Sequence, residues 1–226
     1  MDFHCDCRFE VHVLKLLGWR ESELARKNAR KMWADHLSGK GSKATPIDKR
    51  AFLDKKPFDG ILLGVDPSLR GTGLAVLQFA ADRGVLKASR TLKLKQKVPF
   101  DVCLGQIHQA VVSFLDEWNP RHLAMEQTIY VQNFQTAQIL GAVRGAVIAA
   151  AAVRGFPVFE YPPLRIKQAV VGYGRASKEQ LARSVAQLLG HTEVLDLDEA
   201  DAAGAALCHA MTWNGEEVIR TAIAAD

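Results

Sequence analysis

The 226-residue sequence predicts a mixed α/β domain, a five-stranded sheet covered by helices, that follows a basic N-terminal extension. Three short apolar stretches with brief connections come first, and they predict an antiparallel meander. Helix and strand patterns then alternate, and further helices follow, which indicates a sheet with helices on its faces. The predicted organisation is a basic extension that includes a flexible linker (residues 1–58), a domain (59–215) and a C-terminal tail (216–226).

The composition is that of an ordinary globular protein, with 48% hydrophobic and 24% charged residues. The longest unbroken apolar stretch, residues 145–153, is far shorter than the ~20 residues that span a bilayer, so no membrane is expected. The first residues are partly acidic and do not resemble a signal peptide. Four scattered cysteines are typical of a reducing compartment. We therefore expect a cytoplasmic protein.

Positive charge is concentrated before the first strand. Residues 20–56 hold eleven basic and five acidic side chains, whereas the whole chain has a net charge of only +4. A basic arm of this kind often contacts polyanions, because each neutralised phosphate releases counterions. A solvated, partly disordered leader has the same composition. The sequence leaves both interpretations open.

Strands are recognised by short apolar runs between turn residues. The first, residues 61–65, is continuous in the manner of a buried strand and ends at Asp66. A Gly-Thr-Gly turn at residues 71–73 then leads into the second strand. The second to fifth strands are predicted over residues 74–79, 85–94, 122–126 and 156–160.

Helices are recognised by apolar spacing and by capping residues. Leu104, Ile107 and Val111 begin an amphipathic pattern that ends near Asn119. Ser177, with a glutamine three residues later, fits a capping box at the start of a helix that reaches residue 189. Two further helices, over residues 133–153 and from about 198 to 210, complete the prediction.

Four carboxylates form the candidate site. Asp66 and Glu126 each end a short apolar strand, at the edge where open α/β sheets place their ligands. A charge in that position is costly to bury, so it should face solvent, a partner or a metal. Asp198 and Asp201 are three residues apart and share one helix face, although helix capping alone could explain one of them.

These four side chains together offer only oxygen ligands. Such ligands suit Mg²⁺, with Mn²⁺ as a substitute. Two ions about 3.5–4 Å apart can activate a water and stabilise the leaving oxygen of a phosphodiester. The residues themselves therefore favour metal-dependent phosphodiester hydrolysis.

Several segments, in order over residues 60–214, resemble the RuvC family of Holliday junction resolvases, in the RNase H-like superfamily. Most specific is ILLGVDPSLRGTG at residues 61–73. The other matching segments are AMEQ at 124–127, GAVRG at 141–145, PVFEY at 157–161, KQAVVGYG at 167–174 and DEADA at 198–202.

The resemblance implies a fold, an activity and a set of roles. It implies an RNase H-like fold and a crossover junction endodeoxyribonuclease that acts in DNA recombination and repair. Asp66, Glu126, Asp198 and Asp201 would hold two Mg²⁺ ions, and Lys167 and Lys178 would lie near the scissile phosphate. The sequence supports Lys178 independently, because a cation in the first turn of a helix opposes the helix dipole.

The resemblance also implies DNA contacts and partners. Candidate contacts to the DNA backbone are Arg70, Arg144, Arg165 and Arg175. The family commonly has an aromatic residue at the position of Ile129, and the adjacent Tyr130 offers a comparable ring for stacking. The implied partners are four-way junction DNA, a second copy of the chain in a twofold homodimer, and a branch-migration helicase complex.

Three other functions compete with this interpretation. A catalytically silent junction-binding protein would not need all four carboxylates. An RNA-processing or anti-termination relative of the same fold would show no preference for junctions. A sugar-kinase-like ATPase normally needs two domains and a second glycine-rich phosphate loop.

Overall fold

The computed structural model describes residues 57–80, 83–128 and 133–215. The predicted extension up to residue 56, the tail (216–226), Ile129 and Tyr130 lie outside the described residues. Within the described ranges the chain forms five strands and five helices.

The predicted mixed five-stranded sheet is confirmed. Strand β1 pairs antiparallel with β2 and parallel with β4, and β4 pairs parallel with β5, so the order is β3-β2-β1-β4-β5. The predicted meander of the first three strands is therefore present. The strands are β1 (Gly60–Asp66), β2 (Gly71–Ala80), β3 (Arg83–Lys93), β4 (His122–Glu126) and β5 (Val158–Tyr161).

The helices are α1 (Phe100–Trp118), α2 (Phe134–Val153), α3 (Pro163–Val171), α4 (Lys178–Leu188) and α5 (Leu197–Thr212). The predicted capping box is present at α4, where Ser177 and Gln180 each bond the other's backbone. Helix α3 is absent from the sequence prediction. It is short, with Pro162 as its N-cap and Pro163 as its first residue. A sequence pattern treats two adjacent prolines as a break, although proline is tolerated in a first helical turn.

The helices cover both faces of the sheet, because successive strand side chains point to opposite sides. Leu63 and Val65 of β1 belong to the core formed with α1 and α2. Leu62 belongs to the core formed with α3, α4 and α5. The sheet is thus a central layer, and α5 crosses the face of β1, β2 and β4.

Two buried glycines allow α5 to lie directly on the sheet. A Cβ at Gly64 would collide with the carbonyl oxygen of Ala202, and a Cβ at Gly73 would collide with that of Asp198. Small residues along α5, such as Ala206, complete this close contact. The backbone of α5 therefore approaches β1 and β2 more closely than any side chain would permit.

Helix α2 is apolar on more than one side. Val143 and Val147 pack into the core, whereas Phe134 and Val153 are exposed. Among the helices of the described residues, α2 alone is long and apolar enough to cross a membrane by length and composition. A core helix of a globular protein passes the same test, so this is weak evidence against the prediction of no membrane.

Candidate active site

The ends of β1 and β4 direct two carboxylates toward α5. Gly64 contacts α5, so Asp66, two residues further along the strand, points to the same face. His122 of β4 bonds His209 of α5, so Glu126, four residues later, also points there. Since β1 and β4 are parallel neighbours, both carboxylates lie together at the edge of the sheet where the carboxyl ends of these strands meet.

The first turns of α5 bring the other two carboxylates to this edge. Asp201 is only 4% exposed, and Asp198 is half-buried. The Asp198 carboxylate lies over Gly71, where a Cβ would be 2.8 Å from its Oδ2 atom. Gly71 follows the turn after Asp66, so the helix carboxylates are placed beside the end of β1.

The four carboxylates act on one another electrostatically. Burial raises the pKa of Asp66 to about 7, and the charges of Glu126, Asp201 and Asp198 add to this increase. Burial, followed by the charge of Asp201, raises the pKa of Glu126 to about 6. Negative charges are therefore gathered in a partly dry site, where they are costly without a cation.

The predicted lysines lie at the same carboxylates. The Lys178 ammonium donates to Asp201 Oδ2 at 2.6 Å, and this bond raises the pKa of Lys178. The charge of Lys167, on α3, lowers the pKa of Glu126. The ion pair supplies a physical reason for a lysine in the first turn of α4, which the sequence had left unexplained.

The donor set fits a divalent cation by its chemistry. It consists of hard carboxylate oxygens, which Mg²⁺ and Mn²⁺ prefer. As the side chains stand, no group of three or more His, Cys, Asp or Glu in the described ranges could hold a metal ion. The Lys178 ammonium occupies one oxygen of Asp201 instead, so it provides part of the positive charge that the site requires.

Two of the predicted DNA-contacting arginines are engaged inside the fold. Arg144 of α2 forms two hydrogen bonds with the Glu160 carboxylate of β5, at 2.6 and 2.5 Å. Arg70 Nη1 donates to the carbonyl oxygens of Lys95 and Val98 and to Cys103 Sγ. Both guanidinium groups therefore join separate segments of the domain.

The other predicted DNA contacts are less constrained. Arg165 is exposed and lies 5.8 Å from the centroid of the Tyr161 ring. Arg175 is exposed in the turn before α4. Ile129 and Tyr130 lie outside the described residues, so the stacking role of Tyr130 in place of Ile129 stays a prediction.

Sequence reasoning missed the contacts that position α5. Ser89 Oγ of β3 donates to the Glu199 carboxylate at 2.6 Å, and Lys93 forms an ion pair with Asp196 at 2.9 Å. These pairs join residues more than 100 positions apart, so no local pattern reveals them. They fix the turn of α5 that carries Asp198.

A buried polar chain lies beneath the other end of α5. His209 bonds His122 at 2.9 Å through one ring nitrogen and the Tyr161 hydroxyl at 2.7 Å through the other. Burial lowers the pKa of His122 to about 4 and that of His209 to about 3. Both rings are therefore neutral near pH 7, and they support α5 rather than the chemistry.

Comparisons with known proteins agree with this geometry. A family model described as crossover junction endodeoxyribonuclease RuvC matches residues 62–209. A protein of that name from Pelotomaculum thermopropionicum is 35% identical over 161 residues, which cover 71% of this chain and 98% of the relative. Another from Burkholderia thailandensis is 41% identical over 153 residues, which cover 68% and 84%.

Solved structures show the same fold. Thermus thermophilus RuvC is 32% identical, with a TM-score of 0.61 over 67% of this chain and 93% of that chain. The same protein in complex with a Holliday junction substrate gives a TM-score of 0.63 over the same shares. A yeast mitochondrial Holliday junction resolvase, at 13% identity and a TM-score of 0.50, supports the fold alone. The chain thus belongs to the RuvC family, the crossover junction endodeoxyribonucleases that the sequence segments resembled.

Proposed function

We propose that this chain resolves four-way DNA junctions in recombination and repair by symmetric, metal-dependent hydrolysis of phosphodiesters, with Asp66, Glu126, Asp198 and Asp201 as the metal ligands. The raised pKa of Asp66 carries the proposal, because burial and three neighbouring carboxylates raise it together. The Thermus relative in complex with a Holliday junction substrate supports junction DNA as the partner.

The proposed ions are two Mg²⁺ per site, with Mn²⁺ as a substitute. Bound divalent cations would supply an activated water and charge stabilisation at the leaving oxygen. The chain itself contributes a fixed backbone beneath the carboxylates, because α5 lies in close contact with Gly64 and Gly73. Preorganisation of this kind lowers the free energy needed to assemble the site.

Metal affinity should depend on pH because Asp66 has a pKa of about 7 without metal. Below that pH a proton occupies the carboxylate and must leave before a cation binds. We therefore expect the half-saturating metal concentration to fall about fivefold from pH 6 to pH 7, and only about twofold from pH 7 to pH 8. Calorimetric titration with Mn²⁺ at pH 6, 7 and 8 measures this directly. An affinity that does not change with pH would contradict the role of Asp66.

Lys167 and Lys178 are proposed to bind the scissile phosphate. About half of the Lys178 side chain is exposed, so its ammonium can meet a ligand while it lies at Asp201. A phosphate at the start of α4 would also interact favourably with the helix dipole. Bound to the scissile phosphate, both ammonium groups would stabilise negative charge that grows during hydrolysis.

Lys178→Ala and Lys167→Ala are each expected to slow junction cleavage by about 10²-fold at saturating metal, because a preorganised donor to the developing charge is lost. Single-turnover cleavage measures this effect, and Mn²⁺ titration checks that metal binding is retained. Arg183→Ala is the matched control, because it removes an exposed cation from the same helix. Wild-type rates in both lysine variants would remove these residues from the site.

A homodimer is proposed through the exposed face of α2. Gly141, Gly145 and Ala149 are exposed and lie at helical spacing, and a Cβ at either glycine would meet nothing within 4 Å. Phe134 and Val153 extend this apolar face to both ends of the helix. A twofold dimer would present two identical sites to a substrate of matching symmetry.

Gly145→Glu is expected to convert the dimer to monomers, because it introduces a charge into a close helix contact. Gly105→Glu is the matched control, since Gly105 is also an exposed helical glycine with open space around it. Sedimentation velocity measures the oligomeric state. A cruciform plasmid then reports function: wild type should give linear product, and Gly145→Glu should give nicked circles. A dimer that persists in Gly145→Glu would place the interface elsewhere.

A branch-migration helicase complex as partner and a cytoplasmic location are proposed from the family alone. A catalytically silent junction-binding protein is disfavoured, because all four carboxylates and both lysines are present around one site. Cleavage of junctions in preference to linear duplex and single-stranded RNA tests the proposed function against the RNA-processing alternative.

A further inference from the structure

A second basic segment lies within the folded domain. Residues 83–97 contain six basic side chains and no acidic one. They form the edge strand β3 and the turn that follows it. Lys93, the last residue of β3, pairs with Gly71 of β2. Two residues further along β2, Gly73 pairs with Asp66, the last residue of β1. The C-terminal end of this segment is therefore at the same sheet edge as the carboxylates.

The turn after β3 is held firmly in place. The Leu94 amide donates to the Arg70 carbonyl at 3.0 Å, and the Val98 amide donates to the Lys95 carbonyl at 3.0 Å. Arg70 Nη1 donates in turn to the carbonyls of Lys95 at 2.7 Å and Val98 at 3.1 Å, and to Cys103 Sγ at 3.1 Å. A residue of the turn that follows Asp66 thus fixes the backbone of residues 94–98, which we name the lysine turn.

The lysine turn presents unpaired positive charge. Lys95 and Lys97 are both exposed. In the ranges that the structure describes, neither forms an ion pair with a carboxylate, whereas Lys93 is paired with Asp196. Two like charges that are close together repel one another. An anion bound between Lys95 and Lys97 would offset this repulsion.

Protection of the sheet edge does not explain these two lysines. Exposed lysines commonly prevent edge strands from pairing with other chains, and this accounts for Lys87 and Arg90 within β3. Lys95 and Lys97 follow the last residue of the strand, where no edge is left to protect. Instead, they lie beyond the end of β3, on the side of the sheet where β1 and β4 end in Asp66 and Glu126.

We infer that Lys95 and Lys97 bind backbone phosphates of the DNA arm that leaves the cleavage site on the β3 side. The inference rests on the proposed function, since it assumes that junction DNA lies across this edge. Duplex DNA fits the surface because it presents closely spaced phosphates, which exposed lysines on a fixed backbone can neutralise without a sequence preference. Arg70 acts here as a positioning residue, because its guanidinium group holds the backbone of the turn.

Lys95→Gln/Lys97→Gln tests the inference. With binding measured in chelator to prevent cleavage, the slope of log affinity against log salt concentration should become shallower by about 1.8, since two phosphate contacts are lost. Under cleavage conditions, KM should rise while kcat at saturating junction stays unchanged. Lys95→Arg/Lys97→Arg should restore the wild-type slope.

Arg83→Gln/Lys87→Gln is the matched control, because it removes the same charge from the other end of β3. Its slope should equal that of the wild type. An unchanged slope in the lysine-turn variant, or an equal loss in both variants, would overturn the inference while the cleavage function stands. A wild-type protein that neither binds nor cleaves junctions would overturn the proposed function, and the inference with it.

Discussion

Asp66→Asn is expected to reduce junction cleavage by on the order of 10³-fold or more, which corresponds to at least about 4 kcal/mol of transition-state stabilisation. The amide keeps the shape of the side chain but is a poor ligand for a hard cation. Binding to the junction in chelator should change by less than twofold, because no DNA-facing cation is altered. Single-turnover cleavage and gel-shift titration measure the two quantities.

The same substitution should raise the stability of the metal-free protein. Burial raises the pKa of Asp66 to about 7, and the charges of three neighbouring carboxylates add to this increase. A raised carboxylate pKa means that stability is lost as pH rises through the pKa of the folded state, so the gain should be present at pH 8 and disappear near pH 4. Asp59→Asn is the control, because Asp59 is exposed and precedes the first residue of β1. This substitution should leave the stability unchanged. Equal loss of binding and cleavage in Asp66→Asn would contradict the ligand role.

Gly73→Ala is expected to destabilise the domain by about 3 kcal/mol and to reduce cleavage by about 10²-fold even where the protein is folded. A Cβ at Gly73 would collide with the carbonyl oxygen of Asp198, so α5 must move away from β2. The displaced turn carries Asp198 and leads to Asp201, so the carboxylates lose their arrangement. Denaturant unfolding and cleavage of the folded fraction measure the two effects.

Gly105→Ala provides the matched control for this prediction. Gly105 is in α1, and a Cβ there would meet nothing within 4 Å. The substitution should stabilise the protein by about 0.5–1 kcal/mol, because alanine favours a helix interior over glycine. A Gly73→Ala variant with wild-type stability and activity would show that α5 does not depend on this close contact.

The framework of the site could be predicted from local sequence patterns. Asp66 and Glu126 are readable because each ends an apolar strand, and strand ends are marked by an abrupt change in polarity. The capping box at Ser177 is equally local, since its two partners are three residues apart. Asp198 and Asp201 follow from helical spacing alone. Local periodicity therefore suffices for the elements that carry the four carboxylates.

The remaining features depend on the tertiary structure. Arg144 and Arg70 are plausible DNA contacts in the sequence. In the structure Arg144 bonds Glu160, and Arg70 bonds the backbone of the turn at Lys95. Both partners are distant in sequence and come close only in the folded chain. The pairing of Lys178 with Asp201 has the same origin. The basic run at residues 83–97, in contrast, is visible in the sequence, but only the fold shows that its end lies beside the carboxylates.

Cleavage of a labelled mobile four-way junction, compared with linear duplex of the same sequence in Mg²⁺ and in chelator, tests the central claim most directly. We predict paired, symmetric nicks in the junction that require the metal and Asp66, with little cleavage of linear duplex. Tight junction binding without nicks in either Mg²⁺ or Mn²⁺, or equal cleavage of linear duplex, would contradict the assignment of these carboxylates to a junction-resolving site.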